Sequence, residues 1–310
     1  MKSLLSNTLY LALAVLFLTF GAYFQMRDIF TGLIITELLI IALPAFIFAE
    51  VFSDLDGKIK EGGRKLLNAF NYLRLKKTTF ENIKKAIVIT FITYPIAVFF
   101  NLIIIYIMGY LGYYNVPQVP MATDTTELFY YLLILALLPG VCEELLFRGF
   151  FLRANEEYGY RYSIFYSAIL FALFHFNIYN FAGPLILGIV YGYVTRITRS
   201  VWPAIIAHTA NNAIAASLGF LVTVYGPETS VDLESIFQDP VSMIIELSML
   251  AVVALIAFLL LKSIIKSLRK SNDYIEVVAT KIEKPSILSY VPIAITVGFF
   301  IIINYMYLMS

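Results

Sequence analysis

The chain has 310 residues, 60% hydrophobic and 14% charged, with a mean hydropathy of +0.83. Soluble domains carry about 25% charged residues, so a soluble fold is excluded, and a formal net charge of +1 leaves no basic footprint for nucleic acid. The single cysteine, Cys142, excludes an internal disulfide and reads as a small packing residue in an apolar segment.

Apolar runs follow one another along the chain. Leu4 to Phe24 is too long for a signal-peptide core and has no small-x-small cleavage site, so it reads as a retained anchor. Arg27 and Asp28 break it, and Ile29 to Phe52 follows. Ser53 to Lys85 is polar and holds nine Lys/Arg. Within it Leu66, Phe70 and Leu73 recur at helical spacing, which fits a short helix on the membrane surface or an ordinary solvated loop. Ala86 to Tyr114 spans again, and Pro95 is expected to kink it.

Asn115 to Glu127 has acids and no Lys or Arg, and Leu128 to Arg153 is the next apolar run. Ser163 to Phe176 is short for a span, so its end is expected to stop within the membrane. Tyr179 to Thr195 contains Gly188-x-x-x-Gly192, a weak signal for close helix approach. Val201 to Val224, Val241 to Leu261 and Ile287 to Leu308 complete the set, separated by the acidic Gly226 to Asp239 and the basic Lys262 to Lys284. Lengths of this kind suit helices rather than barrel strands. The expectation is an all-α, polytopic membrane helix bundle of about eight to nine transmembrane segments, forming one membrane domain over residues 1–310. Alternating the segments puts 21 of the 22 Lys/Arg on one side, with Arg27 the exception. The positive-inside rule makes that side cytoplasmic, N-terminus included, in a multi-pass protein of the cell membrane.

The run from Leu128 to Arg153 contains Glu143, Glu144 and Arg148. An ionisable group at this depth costs ~2.5–3.5 kcal/mol on insertion scales, so it faces the protein interior, pairs, or does chemistry. Residues i and i+4 share a helix face, which pairs Glu144 with Arg148 and turns Glu143 elsewhere. Glu143 then needs a partner from another helix. Both histidines of the chain lie in apolar segments, His175 four residues after Phe171 and His208 four residues before Asn212. Intervals of 32 and 33 residues each allow a helix and a turn, so three helices can bring Glu143, His175, His208 and Asn212 together. Counted along its helix, His175 comes out deeper than the other two, at roughly 18 Å against roughly 10–15 Å.

These groups permit hydrolysis. Glu143 with His175 can hold and deprotonate a water. His208 and Asn212 offer N–H donors to a developing oxyanion, each able to contribute ~2.7–4 kcal/mol. Pro139 frees the carbonyl of Leu135 and loosens the helix before Glu143. Each motif taken singly also has a structural reading, as a charge clamp or a satisfied core histidine.

Glu143-Glu144-x-x-x-Arg148, Phe171-x-x-x-His175 and His208-x-x-x-Asn212 together resemble the three ordered motifs of the CPBP (Abi) family of intramembrane proteases, which includes the type II CAAX prenyl endopeptidases. The match runs from about Leu128 to Leu218, the expected catalytic core. The resemblance implies a glutamate-dependent endopeptidase with no metal and no cofactor, and a cavity open to the cytoplasm. It implies that Glu143 and His175 activate water, that His208 and Asn212 form the oxyanion site, and that Glu144, Arg148 and Phe171 support them. The implied partners are the lipid bilayer and a membrane-associated peptide or protein, lipidated or not. Eukaryotic-type members often carry a second histidine just after the first; here Phe176-Asn177-Ile178 follow, which counts against a prenylated substrate.

Three other readings compete. A zinc metalloprotease could use Glu143, His175 and His208 as ligands, though no His-Glu-x-x-His helix is present. The fold could serve as an inactive adaptor or a bacteriocin-immunity protein. Glu37 and Glu246 could carry protons in a transporter, but both read better as neutral or hydrogen-bonded acids facing the bundle.

Overall fold

The computed structural model describes residues 2–55, 65–114, 116, 120–226, 239–274 and 284–309. All regular structure among these residues is helical. In chain order the helices are α1 (Lys2–Arg27), α2 (Ile29–Leu55), the short α3 (Lys65–Tyr72), α4 (Phe80–Tyr110), α5 (Thr125–Ala154), α6 (Tyr160–Phe174), α7 (Ala182–Thr198), α8 (Trp202–Tyr225), α9 (Pro240–Ser271) and α10 (Ile287–Leu308). Seven of the described helices are long and apolar enough to cross a membrane, and α6 and α7 are the shorter companions. The chain is a multi-pass membrane helix bundle.

Local chemistry sets the helix starts. The carboxylate of Asp28 accepts from the Thr31 N–H at 2.8 Å, which ends α1 and caps α2. The Thr31 side chain first, and this N–H second, hold the Asp28 carboxyl below its ordinary value. Thr79, Asp124 and Asp239 cap α4, α5 and α9 in the same way. α4 runs through Pro95 without a break. α6, at 15 residues, covers only about 22 Å and stops at His175, where Phe176 takes a φ of 48° and turns the chain.

Two apolar clusters build the bundle. One joins α1, α2, α3, α5, α6 and α10 around Tyr10, Phe52, Phe150 and Phe171. The other joins α4, α7, α8 and α9 around Ile89, Tyr191, Val194 and Ala207. The Gly188/Gly192 face meets α6 directly: a Cβ on Gly188 would stand 2.8 Å from Ala168 Cβ, and one on Gly192 would stand 3.0 Å from Ile164. The weak sequence signal therefore marks a real close approach.

The basic connections gather at one end. Arg74 and Arg196 both pair with Glu156, the latter at 3.0 Å. Ser200 donates to the Lys76 carbonyl, Val201 N–H donates to the Arg74 carbonyl, and Lys85 reaches Ser271 at 3.0 Å. Residues 227–238, within the acidic loop expected between Gly226 and Asp239, lie outside the described residues, as do 56–64 and 275–283 within the basic ones.

The loop alternative is corrected: Lys65–Tyr72 is a helix, with Ala69, Tyr72 and Leu73 buried in the first cluster while Leu67 and Phe70 stay exposed, Phe70 beside Phe46, and the Leu66 side chain outside the described set. Glu246 is hydrogen-bonded as expected, accepting from the Tyr106 hydroxyl of α4 at 3.4 Å, but it is exposed on α9, whereas Glu37 is buried.

Candidate active site

α5 carries the two glutamates between two π-helical turns, Leu132–Leu137 and Leu145–Phe151. Such turns insert a residue and re-aim side chains, often at functional sites. α5 comes unusually close to α8: a Cβ on Gly140 would stand 2.3 Å from Thr209 Oγ1 and 2.9 Å from its backbone nitrogen. This contact sets the diglutamate beside His208.

Glu144 and Arg148 are fully buried, with Oε1 to Nη1 at 2.8 Å, as their spacing foretold. The arrangement is an ion pair rather than an aligned hydrogen bond. The Arg148 guanidinium also lies 4.2 Å above the Phe171 ring, with Tyr191 on a second side. A desolvated cation over an aromatic face gains about 2 kcal/mol. Gly188 leaves the room for it, since a Cβ there would crowd Nη2 at 3.3 Å.

Glu144 has a second partner that spacing on one helix could not reveal. His208 Nδ1 donates to its Oε1 at 2.9 Å. With Nδ1 so engaged, Nε2 is the nitrogen left for other work, and it lies 3.7 Å from Glu143 Oε2. His175 is held differently. Its Nδ1 is 2.9 Å from the Phe171 carbonyl. A carbonyl only accepts, so Nδ1 carries the hydrogen and a neutral ring keeps its lone pair on Nε2.

Phe171 touches both histidine rings edge-on, at 4.9 Å to His175 and 5.7 Å to His208. Phe171 thus bridges the two histidines, with His208 reached from α8 and His175 one turn further along the chain from it. Asn212 donates from Nδ2 to the Leu135 carbonyl at 3.1 Å. Pro139 has no N–H to offer that carbonyl, so the amide answers a vacancy created by the proline. Asn211 donates in turn to Asn212 Oδ1 at 3.1 Å.

Glu143, His175, His208 and Asn212 line one cavity of about 400 Å³ between the two apolar clusters. Pro139 and Phe171 also line it, as do residues the motifs did not include: Glu37 and Gln25 from α2 and α1, Asn101 from α4, and Asn211. Asn211 was within reach of the sequence, because it lies three residues from His208 and so near its face. Among the described residues, no group of three His, Cys, Asp or Glu side chains converges as a metal site. Cys142 is buried in the first cluster and packs as a small hydrophobe.

Comparison with known proteins adds one finding. A family model described as type II CAAX prenyl endopeptidase, Rce1-like, matches residues 125–214. No curated protein and no solved structure matches the chain. The matched stretch holds all three motifs, from Glu143 to Asn212, and through it this chain is related to the CPBP-family CAAX proteases.

Proposed function

We propose that the protein is an intramembrane endopeptidase that hydrolyses a peptide bond of a membrane-associated peptide or protein, with Glu143 as general base. The observation that carries this reading is the convergence of Glu143, His175, His208 and Asn212 on one buried cavity within the family-matched segment.

A water placed between Glu143 and His175 Nε2 donates its hydrogens to both. Its lone pair then points at the substrate carbonyl while Glu143 takes a proton. His208 donates from Nε2 to the developing oxyanion. Nδ1 donates to Glu144 at the same time, which fixes the ring so that Nε2 points at the oxyanion. The second N–H of Asn212 completes the oxyanion site while the first holds Leu135. Glu144, Arg148 and Phe171 fix the positions of these groups. Every polar group of the three motifs has a role without a metal, so activity is independent of metal.

The test is a comparison of membrane proteomes from cells carrying wild type or Glu143→Gln. A peptide cut only in the presence of wild type supports the proposal and identifies the substrate. Identical peptide patterns would favour the inactive adaptor.

A further inference from the structure

We propose that Glu37 is a second catalytic carboxyl of the same cavity and delivers the proton that the departing amine needs. This assignment rests on the hydrolase reading above. Glu37 lies outside the family-matched segment, on α2, where no motif marks it. It is 4% exposed, it lines the cavity with Glu143, His175 and His208, and its Oε2 has no hydrogen-bond partner among the described residues. The π-helical turn Thr36–Ala42 that carries it packs directly against Leu138–Glu144. Thr36 beside it is tied on both sides, donating to the Gly32 carbonyl at 2.7 Å and accepting from Gln25 at 3.2 Å.

A carboxyl group in this setting is costly to keep unless it is used. Its surroundings suit a proton donor: the arginine of the site, Arg148, is committed to Glu144, and the carboxyl faces the cavity where the scissile bond must lie. Glu143 removes one proton from water, and the hydroxide oxygen bonds to the carbonyl carbon. As the C–N bond breaks, the nitrogen takes the proton of Glu37. The products are a carboxylic acid and an amine. The proton on Glu143 then passes to Glu37 through cavity water, which restores both carboxyl groups.

The experiment uses the full chain in liposomes and two probes of N-acetylcysteine, a CAAX peptide amide and a para-nitrophenyl ester, each made in an S-farnesyl and an S-methyl form. Nitrophenolate leaves as an anion and needs no proton, whereas an amine does. Glu37→Gln should lose ~100-fold or more on the amide and stay within about threefold of wild type on the ester, so the ester rate also reports folding. Glu143→Gln should lose both. Equal losses on the two probes, or an amide rate at the wild-type level, would overturn the role of Glu37 while leaving the hydrolase reading intact. A wild type that cuts neither probe in either form would overturn that reading, and the assignment with it.

Discussion

Glu143 and Glu144 are adjacent and chemically alike, yet substitution should separate them by their surroundings. Glu143 faces the cavity and is partly exposed, so Glu143→Gln should abolish hydrolysis and leave the thermal melt unchanged. Glu144 balances Arg148 and orients His208 from full burial. Glu144→Gln should therefore destabilise the fold by ~3–5 kcal/mol, the usual cost of breaking a buried pair, and should lose activity as well. A melt in detergent read beside an activity assay checks both. Wild-type stability in Glu144→Gln would mean that Arg148 is held mainly by Phe171 and Tyr191.

At the scale of elements, the site depends on how near α5 comes to α8. Gly140→Ala places a methyl group against the Thr209 backbone, which cannot move aside as a side-chain tip can. Overpacking of this kind costs ~1–3 kcal/mol, and a shift near 1 Å at the glutamates costs ~100-fold in rate. Gly298→Ala is the control, since a Cβ there meets nothing within 4 Å, and it should leave melt and rate unchanged.

The same contacts show what the sequence could and could not disclose. The helices, the Glu144–Arg148 pair and the grouping of Phe171 with His175 follow from local periodicity, so they were legible. The Glu144–His208 bond and the Asn212–Leu135 bond join separate helices, and no spacing rule reaches across a tertiary interface. Glu37 was visible as an intramembrane acid, but which wall it faces depends on how α2 is rotated against α5. The spacing of Phe70 and Leu73 marks α3 as a helix, but it does not show that Ala69, Tyr72 and Leu73 would bury against the bundle while Leu67 and Phe70 stay exposed, because a membrane surface and a protein surface ask for the same residues.

For the whole molecule, the basic connections share one end, and on the positive-inside rule we propose that this end faces the cytoplasm. Phe70→Cys in a Cys142→Ala background should then resist an impermeant thiol reagent in intact cells and react in inverted vesicles. Labelling from outside would reverse the orientation. Hydrolysis should also continue in EDTA, with no stoichiometric zinc in the purified protein; loss to chelator restored by zinc alone would favour the metalloprotease. The measurement that bears most directly on the central claim is the cleavage of S-farnesylated and unmodified CAAX peptides by wild type and Glu143→Gln in the same liposomes. The account predicts cleavage of at least one peptide by wild type and a loss of ~100-fold or more in the folded variant. A folded Glu143→Gln protein that cuts at the wild-type rate would contradict it.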